Sequence, residues 1–374
     1  MKPSDISNNY SSILDNFKDP VMARHLLERI HTFTEKVTIM EVCGTHTMAL
    51  FKTGIRFGLP STVTLVSGPG CPVCVTPLEI VQNAIELACR ENTVFFCFGD
   101  MMKVPGVSGT LELARAQSNA NVKIMYSPLD ALEYAREEPH KDIILFGVGF
   151  ETTIPLFASI LLRAQKDKIK NLYLLCAFKL IPPALQALLS DGDCPIDGFL
   201  LPGHVSSIIG EDAYRFMVET YQASGVITGF ESVDILEGIY LLLDIVSKKE
   251  AAIQNQYARF VTKEGNRTAH DIMYTVFSKC NARWRGIGEL PMSGLQLKSD
   301  FAQFDAQNLI DFKITSVPEP SGCCCGDVIK GKIKPLACPL FKVVCAPHHA
   351  IGPCMVSSEG TCAAYYKYGT HRAE

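Results

Sequence analysis

The sequence predicts an α/β protein. It reads as two similar βα-repeat domains with mainly parallel sheets facing a cleft, plus a third, irregular domain formed mostly by the C-terminal region. Three observations carry this reading. Apolar runs of strand character alternate with stretches of helical periodicity up to about residue 245, the rhythm of βα units. Beyond that point the rhythm stops, and residues 281–320 are rich in Gly and Pro and read as loops. Cysteine, 15 in 374 residues, is also uneven: seven fall from Cys323 onward, and the other eight are spread over everything before.

In chain order, residues 12–36 read as helical, with Ile13, Leu14, Phe17, Val21, Leu26, Leu27 and Ile30 recurring at roughly helical spacing. A strand over 37–42 runs into Cys43-Gly44-Thr45-His46, and a helix follows. A second strand, 63–67, enters Gly68-Pro69-Gly70-Cys71-Pro72-Val73-Cys74 and then a helix to about Arg90. A third strand, 93–98, stops at Gly99-Asp100. Glu137-Glu138-Pro139-His140 breaks the pattern and sets a domain boundary near 138. The second unit places strands at 142–147, 171–178 and 198–201, with helices at 154–165 and from Pro182. Residues 247–262 read as another helix. The predicted domains are therefore 37–138, 139–245, and a third made of 1–36 with 246–374.

Composition excludes several classes. Lys plus Arg is 35 against 39 Asp plus Glu, a net charge of −4, which argues against a protein working through nonspecific phosphate contacts, so no nucleic acid is expected. With 47% hydrophobic and 20% charged residues the chain is globular rather than disordered. The polar N-terminus lacks a signal-peptide core, and the longest apolar runs, such as 239–246, fall short of a membrane span. A cytoplasmic, membrane-free protein is the expectation, and there a disulfide framework is not.

In parallel sheets, chemistry collects at the carboxyl edge, where strands hand over to helices. Cys43 and His46 follow the first strand, Cys71 and Cys74 the second, Glu151 the first strand of the second unit, and His204 its last. A thiol and an imidazole three residues apart suit iron, zinc or copper, or else are a small buried cysteine and a core histidine. Cys71-Pro72-Val73-Cys74 at a helix start favours a thiolate and reads as a redox pair, with a zinc half-site as its rival. Gly147-Val148-Gly149-Phe150-Glu151-Thr152 lacks the third glycine of a dinucleotide fingerprint, so no nucleotide is predicted; Glu151 is either a turn residue or a proton and hydrogen-bond partner in the cleft. His204, in Pro202-Gly203-His204-Val205, sits on a turn feeding a helix.

From Gly322 the C-terminal segment reads C-C-C-G-x11-C-x6-C-x8-C-x7-C. Seven thiols exceed the needs of one zinc site, and four can hold a [4Fe–4S] cluster, although the spacing matches neither common ferredoxin run.

Taken together, Cys43-Gly44-Thr45-His46-Thr47, Gly68-Pro69-Gly70-Cys71-Pro72-Val73-Cys74, Gly149-Phe150-Glu151-Thr152-Thr153, Pro202-Gly203-His204-Val205 and Cys354-Met355-Val356-Ser357-Ser358-Glu359-Gly360-Thr361-Cys362 resemble the HypD family of [NiFe]-hydrogenase maturation factors, in order and over nearly the whole chain. The resemblance implies a scaffold with redox activity, rather than a conventional turnover enzyme, for assembling a transient Fe(CN)2CO iron. It implies work in complex with HypC, with cyanide delivered by HypE and HypF upstream. It implies Cys43 as the iron ligand with His46 beside it, Cys71 and Cys74 as the redox pair, and a C-terminal [4Fe–4S] cluster. Its cluster ligands would be Cys323, Cys338, Cys345 and Cys362, with Cys325 and Cys354 a spare pair nearby. Cys324 is a thiol the family pattern does not require. The alternative readings are an Fe–S-dependent thiol–disulfide reductase indifferent to Cys43, and a colourless zinc-stabilised interaction protein.

Overall fold

The structure, a computed structural model, describes residues 18–191, 195–310, 312 and 317–369. Two parallel sheets and one antiparallel hairpin make up its β structure. The first sheet holds β1 (Val37–Cys43), β2 (Val63–Gly70), β7 (Gly198–Pro202), β8 (Ser224–Thr228) and β9 (Ile253–Asn255), in the order β2-β1-β7-β8-β9. The second holds β3 (Thr93–Cys97), β4 (Asn121–Ile124), β5 (Asp142–Gly147) and β6 (Leu172–Cys176), in the order β4-β3-β5-β6. Every pairing in both is parallel. The central strands are buried on both faces, so they read as continuous apolar runs such as Ile143-Ile144-Leu145-Phe146 rather than as alternations. The α/β reading and the irregular C-terminal region are as predicted.

The topology differs from a division at residue 138. The chain leaves the first sheet after β2, builds the whole of the second with β3 to β6, and returns with β7. Residue 138 falls inside the second sheet: β3 pairs β4 on one edge and β5 on the other. Glu137 and Glu138 end only a helix, Leu129–Glu137. Local sequence marks where an element stops but does not say which strand pairs with which. Among the described residues, the parts of 1–36 and of 246–374 also join the first sheet rather than only each other. Helix α1 (Pro20–Ile30), capped by Asp19, packs with Leu26 and Ile30 on the first sheet, and β9 extends that sheet's edge. The predicted positions Ile13, Leu14 and Phe17 lie outside the described residues.

Two further expectations are corrected. Residues 247–262 are not a helix. The preceding helix, Ser232–Ser247, runs to Lys248, and Lys249 then turns left-handed at φ 55°, which stops it before β9. Residues 281–320 are not all loop. β10 (Phe277–Trp284) and β11 (Gly288–Leu297) form an antiparallel hairpin, and Gly286 at φ 74° in its turn adopts a conformation that favours glycine. Pro291 and few β-branched residues hide β11 from a propensity reading.

Three apolar cores hold the molecule. One lies under the first sheet with α1 and the 232–247 helix, and one under the second sheet with the hairpin. The largest joins the two sheets, placing Met40, Val42, Phe199 and Ile227 with Phe95, Ile144 and Phe146. It continues into the C-terminal segment through Cys325, Cys345, Cys354 and Cys362. Among the described residues, no helix is long and apolar enough to cross a membrane.

Candidate functional site

Four strands of the first sheet deliver side chains to one carboxyl edge. β1 ends on Cys43, which heads helix α2 (Gly44–Lys52). A register shift in β1 sets Cys43 beside Gly70, so it sits one residue from Cys71 across the sheet. That approach needs glycine, because a Cβ on Gly70 would fall 1.5 Å from the Val42 carbonyl oxygen. Cys71 caps the short helix α3 (Pro72–Val75), receives the Cys74 N–H at 3.2 Å, and is disulfide-bonded to Cys74. Both sulfurs are buried, so no solvent-exposed thiol is presented there.

His46, one turn into α2, is wholly buried, and its Nε2 donates to the Gly229 carbonyl just past β8 at 2.9 Å. Its ring stacks on Phe230 at 4.5 Å, and the ring of His204, in the first turn of the helix after β7, stacks on Phe230 at 3.9 Å. Burial pushes His46 down to about 4 and His204 in the same direction, so both are neutral near pH 7. Nδ1 of His46 is then a buried lone pair without a partner. Cys43 is pushed up to about 11, first by burial and then by the negative charge of Glu359.

Glu359 comes from the C-terminal segment, which folds back over this edge. Glu359 accepts from Thr45 Oγ1 at 2.7 Å, and a Cβ on Gly44 would fall 2.4 Å from the Glu359 carbonyl oxygen. Ser357 Oγ lies 3.3 Å from Cys71 Sγ and donates to Asp100 at 3.2 Å, while the Ser358 N–H and hydroxyl both donate to Asp100 at 2.7 Å. Asp100, on the turn after β3, ties the second sheet to this loop. The segment that ends in Cys354 and Cys362 thus touches the loops of Cys43 and Cys71 through its middle.

Glu151 stands apart from this group. It precedes the helix Ile154–Lys166 on the second sheet and accepts the Ile181 N–H at 2.9 Å. Its other carboxyl oxygen is buried without a partner beside a cavity shared with His270, Tyr274 and Lys279. Burial raises Glu151 to about 7.

The C-terminal thiols gather around a second centre. Cys323, Cys324, Cys325, Cys338, Cys345 and Cys362 line one small cavity closed by Leu340, Phe341 and Met355. A Cβ on Gly352 would fall 2.6 Å from Cys325 Sγ and 3.0 Å from Cys323 Sγ. Cys354 is fully buried behind it, next to Cys325 and Cys362. A hydrogen bond from Cys325, aided by the charge of Arg285, brings Cys323 down to about 6, while Cys325 and Cys362 lie well above the usual thiol range. Among the described residues no three His, Cys, Asp or Glu side chains converge on a point able to hold a single metal ion. Soft thiol donors around an apolar chamber are of the chemical type that suits an iron–sulfur group, which takes its thiolates from separate directions.

Phe230, Asp100 and Glu359 escape sequence reasoning. Asp100 carried a signal, as part of the Gly99-Asp100 stop after the third strand, and Glu359 lay inside a quoted motif. Phe230 carried none, because β8 itself is not legible in the strand rhythm.

Fold and site together define a two-sheet α/β protein with thiol sites at one sheet edge and in a cysteine-rich C-terminal segment docked against it. The HypD family model, described as Hydrogenase formation hypA family, matches residues 21–369. Hydrogenase maturation factor HypD of Escherichia coli strain K12 is 40% identical over 376 residues, covering 96% of this chain and 99% of the relative. The HypD of Rhodobacter capsulatus is 40% identical over 370 residues, covering 96% and 98%. Hydrogenase expression/formation protein HupD of Azotobacter chroococcum mcd 1 is 39% identical over 369 residues, covering 96% and 97%. The chain belongs to the HypD family of hydrogenase maturation factors.

Proposed function

We propose that this maturation factor is the scaffold on which the Fe(CN)2CO group is assembled together with HypC, with cyanide delivered by HypE downstream of HypF. The observation that supports it best is the docking of 354–362, whose ends are thiols of the C-terminal group and whose middle touches Cys71 and the Cys43 loop. One segment therefore joins a thiol chamber, a disulfide and a strand-end cysteine.

In this reading Cys43 anchors the cargo iron. Its thiol is protonated at neutral pH, so taking up the cation releases a proton beside Glu359. His46 and His204, both neutral, keep positive charge away from an incoming cation. Cys323, Cys338, Cys345 and Cys362 would hold a [4Fe–4S] cluster, with Cys325 and Cys354 as the adjacent thiols. When bound, such a cluster supplies electrons one at a time. Opening the Cys71–Cys74 disulfide to two thiols takes two electrons and two protons. The burial of both its sulfurs disfavours a general disulfide reductase, which must present a sulfur to its substrate.

The test is anaerobic co-purification of wild type and Cys43→Ser with HypC and HypE, followed by iron and sulfide analysis and infrared spectroscopy. Wild type is expected to show about four cluster irons and cyanide and carbonyl bands, and Cys43→Ser the cluster without the bands. Full bands in Cys43→Ser would sink the anchoring role.

A further inference from the structure

We propose that Arg285 is a positioning residue whose guanidinium is the fixed counter-charge of the C-terminal thiolates and sets the reduction potential of the cluster they hold. This rests on the cluster reading above. Arg285 occupies the turn between β10 and β11 and is 2% exposed. Its Nε donates to Glu319 at 2.8 Å, but Nη1 and Nη2 are buried with no partner. A guanidinium is a permanent cation with five donors, and burying its fork without acceptors is unfavourable. The half-exposed Glu319 engages a single nitrogen and leaves the fork unused.

The surroundings say where the missing charge belongs. The Arg285 N–H donates to the Val75 carbonyl at 2.9 Å, on the helix that carries Cys74. The next residue, Gly286, packs so closely on Gly326 that a Cβ there would fall 2.4 Å from the Gly326 Cα, directly after Cys325. Arg285 is thus clamped between the helix of the disulfide and the helix that opens at Cys325. Four thiolates around an iron–sulfur group bring net negative charge, and nearby charge and donors to sulfur set the potential of such groups.

The experiment compares full-length wild type, Arg285→Met and Arg285→Lys, each cluster-free and anaerobically loaded. The cluster midpoint potential is followed by electron paramagnetic resonance during redox titration, and Tm is measured in both forms. The expected result is a lower potential in Arg285→Met, with Arg285→Lys between it and wild type. Cluster-free Arg285→Met should melt no lower than wild type, because it buries no unsatisfied Nη donors, and should gain less Tm on loading. A folded Arg285→Met that alone fails to load also supports the proposal. Equal potentials, or an equal loss of Tm in both forms, overturn it. If wild type itself takes up no cluster, the cluster reading fails separately. Cluster-free Tm then decides Arg285: a lower value in Arg285→Met overturns its role as a buried guanidinium whose Nη donors await a counter-charge.

Discussion

At the residue scale, burial makes two titratable groups behave in opposite ways. His46 protonates at about 4 in the folded chain against 6.5 in its ordinary state. Between those values the unfolded chain holds more protons, so stability falls as pH drops through the window. Glu151 protonates at about 7 against 4.5, so the folded chain holds more protons in that window and stability falls as pH rises through it. Each effect is on the order of 3 kcal/mol when complete. Urea midpoints measured from pH 4 to 8 should therefore show the acid-side slope reduced in His46→Gln and the rise toward pH 4.5 reduced in Glu151→Gln. Slopes identical to wild type would mean that neither group is held neutral by burial.

At the element scale, the docking of 357–360 over α2 depends on a missing side chain. A methyl at position 44 would collide with the Glu359 backbone, whereas one at Gly99 would meet only Ile124 Cγ2 at an ordinary 3.7 Å. Gly44→Ala is expected to cost about 1–3 kcal/mol and to open the 354–362 segment to proteolysis, with Gly99→Ala close to wild type. Denaturant titration and limited proteolysis read the two effects separately. A protected segment in Gly44→Ala would show that hydrogen bonds to Asp100 and Thr45, not backbone approach, hold it.

For the whole molecule, the decisive fact is that the second sheet is an excursion out of the first. The largest core is made jointly by both sheets and the C-terminal segment. The sheets should therefore unfold together. Trp284, the sole tryptophan, is buried and stacks on Phe150 in the turn after β5 of the second sheet, whereas far-ultraviolet circular dichroism reports both sheets. The two probes should give one coincident urea transition in the cluster-free protein. Separate midpoints would show the sheets to be independent units.

The sequence by itself determined the alternation of strands and helices over most of the chain before about residue 245 and the placing of reactive residues at strand ends. Parallel strands buried on both faces must read as apolar runs, and runs such as 142–147 do. The carboxyl ends of such strands are where Cys43, Cys71, Glu151 and His204 fall, and their spacing was enough to point to the family. Only the tertiary structure decided which of them meet. Pairing of β1 with both β2 and β7 brings Cys43, Cys71 and His204 to one edge, while Glu151, on the other sheet, faces a different cavity. The same holds for Phe230 between two histidines and for the buried Arg285, whose neighbour Gly286 packs on Gly326 after Cys325. The physical reason is that periodicity is local, set by the few residues of one strand or turn, whereas strand order and the closing of loops on one another are set by contacts hundreds of residues apart, as between Thr45 and Glu359.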